Sequence, residues 1–127
     1  MLTNHVVFSI PGINDRMLNK YQVGASFQKT YNNMKGLADY RKSQNLAEPF
    51  IEWKYLLFNW NDHKWTINKA ITLAEKAGLD VISFWPTISP FYGISWRYYL
   101  SKFYRNLGEQ SWIGKEVNLR IKDKKNE

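Results

Sequence analysis

Phe50-Ile51-Glu52-Trp53-Lys54-Tyr55-Leu56-Leu57-Phe58 is followed by Asn59-Trp60-Asn61-Asp62-His63, by a segment from Thr66 to Ala77 that stops at Gly78, and by Val81-Ile82-Ser83-Phe84-Trp85-Pro86. The first run has the length and the aromatic and β-branched content of a strand. The next five residues are polar and turn-forming. In the third segment Ile67, Ala70, Ile71, Ala74 and Ala77 recur at helical spacing as a narrow apolar stripe. Thr66 or Asp62 is the expected cap at its start, and Gly78 suits the left-handed position that ends a helix. Val81 to Trp85 reads as a second strand, ended by Pro86. The stretch to Thr87 is therefore a βαβ unit.

On the N-terminal side, His5-Val6-Val7-Phe8-Ser9-Ile10 is a nearly continuous apolar run, as in strands covered on both faces. Pro11-Gly12 breaks it, and Ile13 to Ser26 reads as a polar loop. Ser26 is the expected N-cap of a helix to about Lys42, with Phe27, Tyr31, Met34, Leu37, Ala38 and Arg41 on one face. Pro49 marks the start of the strand at Phe50. The order β, loop, α, β, loop, α, β predicts an α/β fold with parallel strands and right-handed crossovers. Beyond Pro86 a turn-rich loop leads to a helical segment, Ile94 to Leu107. Trp112-Ile113-Gly114 is a last apolar patch before a charged tail.

The chain has 127 residues, the size of one domain at most. Its hydrophobic fraction of 44% excludes wholesale disorder. It has no cysteine, which excludes disulfides, thiolate metal sites and a cysteine nucleophile. No apolar run approaches the roughly 20 residues of a membrane span, and the first residues lack the pattern of a signal peptide. The expectation is a cytoplasmic protein with no membrane partner. The net charge is +7, but Lys115, Arg120, Lys122, Lys124 and Lys125 lie among Glu116, Asp123 and Glu127. A solvated tail accounts for them better than a nucleic-acid arm. The aromatic cluster Phe84, Trp85, Phe91, Tyr92, Trp96, Tyr98, Tyr99, Phe103 and Tyr104 carries no nucleic-acid-binding signature. Burial, or contact with further barrel strands, is the expectation for it.

Three parallel strands with two crossover helices make a poor stand-alone domain, because parallel sheets need cover on both faces. The strand almost at Met1 fits a larger barrel cut short. Val7-Phe8-Ser9-Ile10-Pro11-Gly12, Tyr21-Gln22-Val23-Gly24-Ala25-Ser26-Phe27 and Asn33-Met34-Lys35-Gly36-Leu37 resemble the second half of a radical S-adenosylmethionine (radical SAM) barrel. The likeness is to members with an extra C-terminal cluster domain that modify peptides or small metabolites. It runs from about Val6 to Thr87. It implies a partial (β/α) barrel over residues 1–92, comprising strands four to six, and a C-terminal helix and basic tail over 93–127.

The resemblance implies S-adenosylmethionine as cosubstrate and a 4Fe-4S cluster in intact relatives. Their cluster is held by a Cys-x-x-x-Cys-x-x-Cys loop, which this chain lacks. It implies cosubstrate-binding roles for Ser9, Gly12 and Gln22, and places Asn59 and Asn61 at a strand end facing the site. Pro11 stands where the family has Asp, Gln22 where it often has Arg, and Ala25 where it has Gly. Asn59 and Asn61 also suit turn and cap duty, and capping is the stronger reading of Asp62 against an acid–base pair with His63. No residue is expected to be catalytic. The chain is expected to hold neither cofactor alone and to be a fragment or partner-dependent piece. Its expected partner is a chain supplying the cysteine-containing barrel half, or a second copy joined through open strand edges. Two other readings stand beside this one: a basic, aromatic module binding nucleic acid or an acidic partner, and a non-catalytic complementing scaffold.

Overall fold

The computed structural model describes residues 5–100 and 112–113. Strand β1 (His5–Ser9) leads into a short helix, α1 (Asp15–Asn19), and a long one, α2 (Phe27–Ser43). Strand β2 (Phe50–Leu57), helix α3 (Lys64–Ala77) and strand β3 (Val81–Pro86) follow. A 3₁₀ turn (Phe91–Gly93), helix α4 (Trp96–Leu100) and strand β4 (Trp112–Ile113) complete the described part. The fold is α/β.

The strands stand in chain order, β1-β2-β3-β4. The first three are parallel, with Phe8 opposite Trp53 and Trp53 opposite Ile82. Strand β4 pairs antiparallel with the first residues of β3, through Val81–Ile113 and Ile82–Trp112.

Both long helices lie on one face of this sheet. The core joins Phe27, Tyr31, Met34 and Ala38 of α2 and Ile67, Ala70, Ile71, Ala74 and Ala77 of α3 to alternate strand residues, Ile51, Trp53, Tyr55, Leu57, Ile82 and Phe84. The period of two along each strand sends these side chains to a single face. Trp53 is fully buried, and its indole N–H donates to the Ile10 carbonyl at 2.8 Å, so the polar tip of the largest core ring is satisfied. The Tyr31 hydroxyl donates to the Leu73 carbonyl at 2.7 Å and ties α2 to α3.

The helix ends follow their capping chemistry. Ser26 caps α2 by accepting from Lys29 N, as its position predicts. Gly78 ends α3 at φ +78°, where a side chain would be strained. Three expectations change. Residues 13–26 are not all loop: Asn14 accepts from Met17 N at 2.9 Å and starts α1, whose Leu18 is buried. Helix α3 begins at Lys64 with His63 at the N-cap, so neither Asp62 nor Thr66 caps it. Strand β1 is not covered on both faces, since His5, Val7 and Ser9 are exposed while Val6 and Phe8 are half-buried. Of the segment 94–107, Trp96–Leu100 is helical, and 101–107 lies outside the described residues.

Candidate functional site

In parallel α/β proteins ligands collect at the carboxyl ends of the strands. Here the loops after β1 and β2 and the segment after β3 meet at that end. Asn61 organises them. Its side chain is fully buried; Nδ2 donates to the carbonyls of Pro11 and Leu56 at 2.9 Å each, and Oδ1 accepts from Phe58 N at 2.7 Å. Its own carbonyl accepts from the Tyr55 hydroxyl at 2.6 Å. Both amide hydrogens are therefore used inside the protein. Burial, with the neighbouring Asp62 charge adding to it, pushes the Tyr55 phenol well above its ordinary range.

Asp62 is also fully buried. Its carboxylate accepts from Ser95 Oγ and from Arg97 Nη1, each at 2.5 Å. A carboxylate in such surroundings needs a cation and donors, and both come from the chain after β3. That chain crosses the end of β2: Phe58 bridges Ile94, Asn59 N donates to the Gly93 carbonyl, and Asn59 Nδ2 donates to the Tyr92 carbonyl at 2.7 Å. Trp60 stacks on Phe58 with centroids 4.6 Å apart, and a Cβ on Gly93 would stand 2.8 Å from the Trp60 ring. Glycine at 93 lets the crossing chain pass under the indole.

The expected site residues thus divide. Ser9 is exposed at the end of β1; its carbonyl accepts from Gln22 Nε2 at 3.4 Å, and its hydroxyl has no partner among the described residues. Ser9 and Gln22 come together at the open end of the strands. Asn59 and Asn61 lie at the same end, but their amides hold loops. Gly12 is buried, and a Cβ there would meet Met17 Cβ at 2.5 Å, so its glycine serves the packing of α1. No hydrogen bond joins Asp62 to His63 among the described residues, and no acid–base pair forms. The aromatic cluster is not uniformly buried. Phe84 is interior, whereas Trp85, Phe91, Tyr92, Trp96 and Tyr99 are exposed. Phe103 and Tyr104 lie outside the described residues.

Sequence reasoning gave no role to Ser95 or Trp60. A second constellation involves Glu52 and Lys54 of β2. On the face opposite the helices, these two belong to a connected polar row. His5 Nε2 donates to Glu52 Oε1 at 2.9 Å, Ser83 Oγ donates to Glu52 Oε2 at 2.6 Å, and Trp85 Nε1 donates to Ser83 Oγ at 2.8 Å. Lys54 Nζ rests 5.2 Å from the centre of the Trp85 ring. The signal for this row was the alternation Glu52-Trp53-Lys54-Tyr55, which puts both charges on one face.

A hollow of about 480 Å³ between the ends of α2 and α3, lined in part by Arg41, Asn45, Glu75 and Gly78, lies at the other end of the strands. Its mixed charges offer no convergent set of polar groups. Comparison with protein-family models, with curated proteins and with solved structures finds no match for this chain. No helix among the described residues is long and apolar enough to cross a membrane.

Proposed function

We propose that this chain is the C-terminal half of a radical SAM barrel, with β1, β2 and β3 as strands four to six, and that it works only when a cysteine-bearing half is supplied from outside these 127 residues. One observation carries the reading. Three parallel strands stand in chain order with both crossover helices on one face. A doubly wound sheet reverses its strand order and puts helices on both faces. A barrel wall keeps chain order, covers its outer face with helices and leaves its inner face to other strands of the barrel. The uncovered face, with His5, Glu52, Lys54 and Ser83, is then the inner wall.

Ser9 and Gln22, at the open ends of the strands, are the groups that would meet the cosubstrate. Asn59 and Asn61 serve the same region as supports of its loops. The donor set for the cluster does not fit within this chain. It has no cysteine, and among the described residues no three His, Asp or Glu side chains group as metal ligands. The reductive chemistry of the intact enzyme therefore belongs to the other half, and no step of it is assigned to residues here.

The test is reconstitution with iron and sulfide, followed by measurement of 5′-deoxyadenosine. This chain alone is expected to give none, and a mixture with a barrel half bearing the three-cysteine loop is expected to give it. Cosubstrate cleavage by this chain alone, or failure of every such half to form a complex with it, would reject the proposal.

A further inference from the structure

Helix α4 is mounted with its polar side inward. Ser95, just ahead of it, donates its hydroxyl to Asp62, and Arg97 donates to the same buried carboxylate. Tyr98 N donates to Ser95 Oγ at 3.4 Å, and the Tyr98 side chain packs on the core. The opposite side carries Trp96, Tyr99 and Leu100, at the i, i+3, i+4 spacing that shares one helix face. All three are exposed, Leu100 to 81%. An amphipathic helix on a globular core ordinarily turns the other way, with its apolar stripe in and its charges out. The preceding 3₁₀ turn repeats the inversion, since Phe91 and Tyr92 are each 76% exposed. Asn59 ties turn and helix to one place: its Nδ2 donates to the Tyr92 carbonyl, and its own carbonyl accepts from Arg97 Nη1 at 3.4 Å. Large apolar side chains are thus held outward by polar bonds made behind them.

Exposed apolar surface of this kind marks contact with another body, and three observations say which. The sequence from Val81 to Gly108 has no Asp or Glu, while Arg97, Lys102 and Arg105 fall within it, in a chain of net charge +7. That charge sign favours an anionic surface. The indole N–H of Trp96 and the hydroxyls of Tyr92 and Tyr99 bond to no group among the described residues. A dry protein groove would strand these polar tips, whereas the headgroup layer of a bilayer wets the tip and takes the ring. A nucleic-acid strand calls for a run of cations along its phosphates, but Arg97, the one cation between Val81 and Leu100, is paired with Asp62. We propose that the outward side of the 3₁₀ turn and α4 docks on the surface of an anionic lipid bilayer. Phe91, Trp96 and Leu100 enter the acyl boundary, and the tyrosine hydroxyls stay among the headgroups. The expectation of no membrane partner rests on the lack of a span and a leader, and a surface anchor needs neither. The inference uses only the surface of this chain and does not rest on the barrel reading.

The full chain is mixed with sucrose-loaded vesicles of equal parts phosphatidylcholine and phosphatidylserine, or of phosphatidylcholine alone, and the bound fraction is read by sedimentation. Binding to the anionic vesicles is expected, and binding to the neutral ones is expected to be at least about tenfold weaker. Tyr99→Ser combined with Leu100→Asn is expected to weaken binding at least about tenfold, as removal of two apolar side chains requires. At saturating anionic lipid the tryptophan emission of the parent is expected to shift to the blue, and Trp96→Phe is expected to lose most of that shift. Tyr40→Ser, at an exposed tyrosine of α2, is expected to behave as the parent in both measurements. Should the double variant fail to fold by circular dichroism, Leu100→Asn alone is read the same way, with an expected weakening of about threefold. No binding of the parent to anionic vesicles, equal binding by the parent and the folded variant, or an undiminished blue shift in Trp96→Phe would overturn the proposal. So would a parent dimer in analytical ultracentrifugation, or binding of a polyuridine strand, that the double variant abolishes while vesicle binding is unchanged.

Discussion

Replacing Asn61 by alanine separates a loop-holding role from a ligand-binding one. The substitution deletes three hydrogen bonds, to Pro11 O, Leu56 O and Phe58 N, and leaves the backbone contacts of residue 61 with Phe58 and Tyr55 in place. Each lost bond costs about 1 kcal/mol net, and a donor stranded in the interior costs up to about 3 kcal/mol. The two carbonyls retain second lone pairs, so the Phe58 N–H is the expensive group. The expected loss is about 3–4 kcal/mol, a large share of the roughly 5–15 kcal/mol that holds an ordinary domain together. With a urea m-value of about 1.5 kcal/mol/M, the unfolding midpoint followed by tryptophan fluorescence falls by about 2 M with m unchanged. Asn61→Asp is expected to be no better, because it turns a second oxygen toward two carbonyls. Asn59→Ala removes one bond from a half-buried side chain and is expected to cost about 0.5–1 kcal/mol. A loss below about 1 kcal/mol for Asn61→Ala, or equal losses at 59 and 61, would refute this account of the loop.

Two further predictions follow from buried groups near the same loop. The Tyr55 phenol titrates above its unfolded value because of burial, with a smaller contribution from Asp62, so the folded state holds its proton more tightly. Stability is then constant below about pH 10 and falls as pH rises further, by up to about 1.4 kcal/mol per pH unit for this group. Tyr31, also raised by burial, adds to the fall. Urea midpoints measured from about pH 8 to about pH 11 are expected to drop less steeply in Tyr55→Phe than in the parent, and parallel curves would count against the buried phenol. Gly12→Ala forces a Cβ to within 2.5 Å of Met17 Cβ, at an expected cost of about 2 kcal/mol. Melting followed by circular dichroism should show the melting temperature falling by about 5–10 °C. Met17→Ala is expected not to rescue it, since the clashing atom remains.

The long periodic segments were legible because their pattern is local. The stripe from Ile67 to Ala77 is buried at all five expected positions, and Gly78 ends its helix in the left-handed conformation. Helix α1 escaped because one turn is too short to show a period. Its only sequence mark was the Asn14-Asp15 pair, in which Asp15 also accepts from Phe27 N at 2.7 Å. Strand β1 looked covered on both sides because Val6, Val7 and Phe8 break any alternation, yet the helices occupy one side only. The partners of the loop after β2 were not legible for a different reason. Asn and Asp after a strand are ordinary turn and cap residues, and nothing near them in sequence reveals Pro11, Ser95 or Arg97 as partners. Those partners lie 33 to 50 residues away along the chain, so they emerge only once the strands are aligned.

The short antiparallel pairing of β4 with β3 has a consequence for growth. A parallel sheet with two free edges can add units at both and propagate into a filament. Here Trp112 and Ile113 run against the direction of the other strands and occupy the start of the β3 edge. A strand arriving in parallel register on that side meets an occupied ladder, while the edge of β1 carries no strand among the described residues. Among the described residues the β1 edge is therefore the one whose whole length is open to a further parallel strand.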